Sequence, residues 1–167
     1  VLMGYYNPIF RMGEECYVRE AKGAGANGFI VPDLPVEESA SLESLCSAAG
    51  LDLIQLVGPT TTEERMRRIA SRSSGYLYLV SALGTTGARK EMSSSLDSLV
   101  RKAKNAAGPL PVAVGFGISR PEHVRTVLRT GADGAIVGSA ILQKVIDGEA
   151  PAQVGGLVRS LKEAALS

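Results

Sequence analysis

The chain has 167 residues, of which 45% are hydrophobic, and a formal net charge of +1. This length and apolar content suffice for one substantial core, so a single domain over residues 1–167 is predicted. The near balance of acidic and basic residues argues against nucleic acid as the main partner. No apolar run approaches the roughly 18 residues that a membrane-spanning helix needs, so no membrane partner is expected.

The two cysteines, Cys16 and Cys46, both fall in helical patterns. Neither stands beside a histidine or a second cysteine in the sequence. The pattern therefore indicates free, buried thiols in a reducing compartment, and no metal site. No signal-peptide pattern is visible.

The first half of the chain alternates short apolar runs with helical patterns. Strands are predicted over residues 1–5, 28–31 and 52–57, and helices over residues 14–22, 36–49 and from residue 60. Asn7-Pro8 predicts a turn after the first strand. Pro32 and Pro35 bracket a rigid loop, because each proline fixes its own φ and favours an extended residue before it.

The second half continues the same alternation. Strands are predicted over residues 76–80, 112–115 and 134–138, and helices over residues 96–106, 121–129, from residue 139 and over 150–166. Ser119 is the expected N-cap of the helix at 121–129. The last helix is expected to be amphipathic, with one apolar face made of Val154, Leu157, Val158 and Leu161. The connection over residues 81–94 is long for a strand-to-helix loop, whose usual length is about 2–6 residues.

Strict alternation of strands and helices predicts an α/β fold, a parallel sheet covered by helices. Both an open doubly wound sheet and a TIM (β/α)8 barrel satisfy this pattern. A barrel usually takes about 250 residues, and the chain begins within a predicted strand at Val1. We therefore expect a truncated barrel with roughly strands 3–8. The absence of a Gly-x-Gly-x-x-Gly after the first strand disfavours a dinucleotide-binding sheet.

Two glycine-rich turns follow the last two predicted strands. The first contains Gly115-Phe116-Gly117, and the second, Gly138-Ser139, opens a helix. Glycine lets backbone N–H groups approach an anion, and the first N–H groups of a helix lack intrahelical partners. Paired turns of this kind after the last two strands are the usual phosphate site of a barrel. A phosphate-binding edge is therefore predicted, although the glycines alone would also suit simple tight turns.

Other polar residues are weaker candidates. The loop over residues 81–94 contains two glycines and two threonines before Arg89, a composition typical of a lid over a small ligand. Asp33, just after a strand, is expected to bond local backbone N–H groups rather than act as a base. His123, in the first turn of a helix, is expected to be solvated. No two carboxylates converge in the sequence pattern, although acid–base catalysis needs such positioned groups.

Four segments together resemble the tryptophan synthase α-subunit family, which includes the free-standing indole-3-glycerol-phosphate lyases of plants. They are VPDLPVEE from Val31, YLVSALGTTGAR from Tyr78, VGFGIS from Val114 and GAIVGSA from Gly134. The resemblance runs in order over essentially the whole chain. It implies a TIM barrel that cleaves indole-3-glycerol phosphate to indole and glyceraldehyde 3-phosphate in tryptophan biosynthesis. It implies no cofactor, and a cytoplasmic location, or the plastid stroma in a plant-like source.

The resemblance also implies a set of site residues. Those expected to hold the substrate phosphate are Gly87, Gly117, Gly138 and Ser139. Those expected to line the indole pocket or its closing loop are Met3, Tyr5, Tyr78, Thr86 and Phe116. The family's catalytic glutamate and aspartate are expected upstream of Val1, so no catalytic residue is assigned here. We therefore expect the 167-residue chain to be inactive alone.

Two alternatives stay open. One is another phosphate-binding barrel, an isomerase or a synthase, against which the Gly-Thr-Thr-Gly segment at Gly84 argues. The other is a non-catalytic module that docks on a tryptophan synthase β-subunit and activates it. Its contact surface would be the loops over residues 32–35 and 59–62.

Overall fold

The computed structural model describes residues 1–81, 89–115 and 117–166, with the backbone alone for residues 89–94. The chain forms two compact units. The first contains residues 1–78 and 106–110, and the second contains residues 79–105 and 111–167.

The first unit is built on a parallel sheet. Its elements are β1 (Leu2–Met3), α1 (Tyr6–Met12), α2 (Glu14–Gly23), β2 (Gly28–Ile30), α3 (Ala40–Ala48), β3 (Asp52–Ile54), β4 (Leu56–Val57) and α4 (Glu63–Ala70). The strand order is β1-β2-β3, with Leu2 opposite Phe29 and Phe29 opposite Leu53. Thr62 caps α4 by accepting the Arg65 N–H, as its threonine run predicts.

The core of this unit lies between the sheet and its helices. Phe29 and Leu42 are buried, and the Phe29 ring lies 5.3 Å from the ring of Tyr17 on α2. Cys46 belongs to the same cluster. Burial, followed by the charges of Glu14 and Asp52, raises the pKa of its thiol to about 12. Both cysteines are free, as expected, but Cys16 is only half-buried.

The second unit continues the alternation of strands and helices. Its elements are β5 (Leu77–Val80), which begins in the first unit, α5 (Arg89–Ala107), β6 (Val112–Gly115), α6 (Pro121–Arg129), β7 (Gly134–Ala135), α7 (Ser139–Ile146) and α8 (Pro151–Ala164). β6 and β7 are parallel, with Ala113 opposite Gly134. Val100, Val114 and Val127 are buried. Among the helices of the described residues, none is both long and apolar enough to cross a membrane.

Three sequence expectations for the first unit are wrong. The turn predicted at Asn7-Pro8 is the helix α1, since proline is tolerated in a first turn, where its missing N–H has no intrahelical partner anyway. The helix predicted from Val36 begins at Ala40, because residues 36–39 form turns in which the Ser39 hydroxyl donates to the Val36 carbonyl at 3.1 Å. The strand predicted over residues 52–57 divides at Gln55, whose N–H bonds the Ser73 hydroxyl while its carbonyl accepts from the Tyr78 N–H.

Four expectations for the second unit also need correction. The loop predicted to end at residue 94 ends by Arg89, because Arg, Lys, Glu and Met at the start of α5 are good helix formers. Ser119 is not the N-cap of α6, a position taken by Arg120. β7 is limited to Gly134–Ala135, although the Ile136 N–H still bonds the Val114 carbonyl at 2.7 Å. Val158 is 45% exposed, so the buried face of α8 is made by Leu161 and Ala164.

A carboxylate at the start of β7 joins three elements of the second unit. Asp133 accepts from Lys104 Nζ at 2.7 and 2.8 Å and from the Val112 N–H at 2.7 Å. Burial alone would raise the pKa of this carboxyl, but the bonds from Lys104 and Val112 lower it below its usual value. Because the pKa is lower in the folded state, the stabilisation is complete above the unfolded pKa, about 3.9, and is lost as pH falls through the folded pKa.

Asp133→Asn is therefore expected to lower the free energy of unfolding by about 1 kcal/mol at pH 7, a modest value because the ion pair is partly exposed. The deficit should shrink as the pH falls below the unfolded pKa of about 3.9 and through the lower folded pKa, because the wild-type carboxyl then becomes neutral as well. Urea unfolding at pH 7 and at a pH below about 3.9 measures it. The exposed Asp147, which accepts from Gln143 on its own helix, gives the control Asp147→Asn. A deficit of the same size at both pH values would contradict the assignment.

Candidate functional site

The turn after β6 is held at the strand end by a buried serine. Ser81 donates both its N–H and its hydroxyl to the Gly115 carbonyl, at 2.9 and 3.0 Å. Gly117 has a φ of +77°, in the left-handed region that favours glycine. Its neighbour Ile118 is buried, whereas Gly117 and Ser119 are exposed. Gly117 and Ser119 are thus exposed on either side of the buried Ile118.

The far end of this turn is bonded to α6. The Ser119 N–H donates to Nδ1 of His123, the third residue of α6, at 3.3 Å. Ser119 therefore takes part in the helix start through its backbone and not as the expected cap. His123 is half-buried and, besides the solvation expected of it, makes this contact with the turn.

The second glycine turn opens α7. Gly138 is the N-cap, and its carbonyl accepts the N–H groups of Ile141 and Leu142. Gly138 and Ser139 are exposed, and no heavy atom of the described residues lies within 4 Å of where a Gly138 Cβ would stand. The first turn reads Ser139-Ala140-Ile141-Leu142 and contains no acidic residue. This open, partly positive helix end is suited to an anion.

The expected pocket residues of the first unit differ in burial. Met3 and Tyr5 are 57% and 70% exposed. Tyr78 is buried, and burial, followed by the charge of Tyr76, raises the pKa of its phenol. Because its pKa is raised, the phenol of Tyr78 is protonated at neutral pH.

Asp33 makes a long-range contact in the first unit. Its carboxylate accepts the Tyr6 N–H at 2.8 Å, across 27 residues of sequence. It thus bonds a backbone N–H as expected, but at the start of α1 and not in its own loop. Because Tyr6 begins that helix, Asp33 supplies the cap that Tyr5 does not.

Three expected site residues, Gly87, Thr86 and Phe116, lie outside the described residues. In the ranges that are described, no group of three His, Cys, Asp or Glu side chains is placed to hold a metal ion. In the second unit the described phosphate candidates are Gly117, Gly138 and Ser139, and in the first unit the described pocket candidates are Met3, Tyr5 and Tyr78.

Comparison with known proteins identifies the family. The family model described as tryptophan synthase alpha chain matches residues 1–164. The chain belongs to the tryptophan synthase alpha chain family. A relative of that name from Methanosarcina mazei is 48% identical over 167 residues, covering 99% of this chain and 60% of the relative. One from Arabidopsis thaliana is 44% identical over 170 residues, covering 99% of this chain and 62% of the relative.

Solved structures of this family also match the chain. A chain of the tryptophan synthase complex from Pyrococcus furiosus matches with a TM-score of 0.84 and 39% identity, over 99% of this chain and 65% of that one. The alpha subunit from Legionella pneumophila matches with a TM-score of 0.83 and 36% identity, over 98% and 61%. The expectation of part of a TIM barrel is confirmed, since these alpha chains are TIM barrels. The chain spans about 60% of the length of the curated alpha chains it matches.

Two contacts near the candidate residues are not predicted from the sequence. The Ser119 N–H lies just before α6 and bonds the side chain of His123 in the first turn, a pattern that resembles a capping interaction. The bond from Tyr6 to Asp33 joins residues 27 apart, and no local pattern predicts such a pair.

Proposed function

We propose that the protein is an indole-3-glycerol-phosphate lyase, the alpha-type activity of tryptophan biosynthesis, releasing indole and glyceraldehyde 3-phosphate. The match to the alpha chain family over residues 1–164 carries this proposal. The exposed backbone of Gly117 and the open start of α7 at Gly138 support it, because both suit a phosphate ester. A location in the cytoplasm, or in the plastid stroma for a plant-like source, and a single barrel domain over residues 1–167 are part of the same proposal.

The proposed division of labour is between binding and bond cleavage. Backbone N–H groups at Gly87, Gly117, Gly138 and Ser139 hold the phosphate. In the same proposal Tyr78 and Phe116 line the indole pocket, with Met3 and Tyr5 near its wall, and Thr86 belongs to the closing loop. The retro-aldol step breaks the bond between the indole ring and the glycerol chain. It needs a proton delivered to the ring carbon and one removed from the glycerol hydroxyl, by groups fixed within hydrogen-bond reach.

The two acids that the family uses for these proton transfers have no assigned counterpart among these 167 residues. We therefore expect the chain to bind phosphate without releasing indole. The test is an NMR titration of the chain with inorganic phosphate and with glycerol 3-phosphate, followed by an indole-release assay. Shifts at the amides of Gly117, Gly138 and Ser139 support the proposed site. Shifts confined to other regions would refute it, and indole release at the rate of an intact alpha chain would refute the expected inactivity.

A second candidate is docking to a β-subunit, because one matched structure is that of a tryptophan synthase α2β2 complex. The proposed contact surface is formed by the loops over residues 32–35 and 59–62 of the first unit. In the loop over residues 59–62, the Thr61 hydroxyl accepts the Gly58 N–H at 3.0 Å. Nearby, Arg65 donates to both carboxylate oxygens of Glu37, at 2.8 and 3.1 Å. A cavity of about 160 Å³ lies between these loops, lined by Pro32, Pro35 and Thr61 among others. Co-purification with a pyridoxal-phosphate enzyme, without indole release, would favour this candidate over the lyase.

A further inference from the structure

His123 stands at the junction of the glycine turn and α6. It is the third residue of the helix Pro121–Arg129, and its Nδ1 accepts the Ser119 N–H at 3.3 Å. In this bond Nδ1 is the acceptor of the backbone N–H. The side chain therefore acts on the turn through a single backbone hydrogen bond.

This bond is one of the anchors of the turn over residues 117–119. Within this turn Ile118 is buried, and before it Ser81 donates to the Gly115 carbonyl at the end of β6. On the helix side, Ser119 is exposed, and its N–H has the His123 ring as its partner. Removal of the ring leaves that N–H to water and the exposed end of the turn less restrained.

We propose that His123 is a positioning residue for the phosphate site, which rests on the proposed function. It holds Ser119 so that the backbone from Gly117 to Ser119 is already in its binding conformation when an anion arrives. A turn that must first be ordered binds more weakly, because the ordering free energy is subtracted from the affinity. His123 touches no reacting atom in this proposal and acts only through Ser119.

A purely structural role of His123 predicts a different outcome. A side chain three residues into a helix that accepts an N–H from the preceding loop resembles a capping interaction. If that is all it does, its loss lowers stability and leaves phosphate affinity unchanged. Two substitutions separate these roles. His123→Leu removes the acceptor while introducing a better helix former, and His123→Asn puts an oxygen at the δ position with a helix propensity close to that of histidine.

The experiment is an NMR titration of the 167-residue chain and its variants with inorganic phosphate, with hydrogen exchange of the Ser119 amide as a second readout. His123→Leu should weaken phosphate binding by about three- to tenfold, as expected for one hydrogen bond, and speed Ser119 exchange. His123→Asn should restore most of both. The control Thr126→Ala removes a hydroxyl bond to the Glu122 carbonyl on the same helix, without charge change, and should leave the affinity at the wild-type value.

The outcomes are distinct. Loss of affinity in His123→Leu with recovery in His123→Asn supports the positioning role. Equal affinities for wild type, His123→Leu and Thr126→Ala overturn it and leave the proposed function standing. Loss in both His123 variants also overturns it, since the δ acceptor is then not what matters. A wild-type chain whose Gly117, Gly138 and Ser139 amides do not respond to phosphate overturns the proposed phosphate site and this role with it.

Discussion

Gly28→Ala is expected to lower the free energy of unfolding by about 1–3 kcal/mol, the range for a side chain forced into a packed core. Gly28 is buried in β2 and pairs with Asp52 on β3. A Cβ at this position would stand 2.6 Å from the Asp52 carbonyl oxygen and 3.0 Å from the Asp52 Cβ. The obstacle is backbone, not the end of a flexible side chain, so the two strands must part to admit the methyl group.

The same change at Gly4 is the matched control. Gly4 follows β1 and donates its N–H to the Ile30 carbonyl at 3.1 Å, but a Cβ there meets no described atom within 4 Å. Gly4→Ala should therefore be close to neutral. Urea unfolding gives the free energies, and hydrogen exchange should show faster opening of β2 and β3 in Gly28→Ala alone. Equal free energies of unfolding for the two variants would contradict the prediction, because β2 and β3 would then accommodate the methyl group without loss of stability.

The helix α6 shows what local sequence can predict. Its bounds, Pro121–Arg129, agree with the prediction, because proline favours the first turn and the apolar residues recur at helical spacing. The parallel pairing also follows from the alternation of elements, since short apolar runs joined by helices have few other solutions. In the candidate site, the glycine turns can be predicted from the sequence because glycine directly after a strand is a local pattern.

Contacts between distant residues account for what the sequence did not reveal. α1 begins where the Tyr6 N–H finds Asp33, and β3 ends where the backbone of Gln55 pairs with Ser73 and Tyr78. Each partner lies about twenty residues or more from the element it shapes, so propensity in a local window has no access to it. The pocket role of Met3 and Tyr5 is likewise a family inference that their exposure alone would not suggest.

Ser139→Glu is expected to change helix stability and phosphate binding in opposite directions. Ser139 is the first residue of α7, whose first turn has no acidic residue. A carboxylate there interacts favourably with the helix dipole, by about 0.3–1 kcal/mol, so the fold should be no less stable. The same charge lies where the phosphate is proposed to bind, and like charges at close range should weaken phosphate affinity about tenfold or more. Thermal unfolding and phosphate titration measure the two effects on one sample.

Two further variants test whether the loss of phosphate affinity depends on the position and on the charge of the new side chain. Ser139→Ala removes the hydroxyl alone and should reduce phosphate affinity by a few-fold at most, because the backbone N–H groups remain. Ala152→Glu adds the same negative charge to the exposed first turn of α8, and its affinity should stay close to that of the wild type because salt screens charges at longer range. If Ser139→Glu and Ala152→Glu bind phosphate equally well, the start of α7 does not hold the phosphate, and the anion site must be sought elsewhere on the chain.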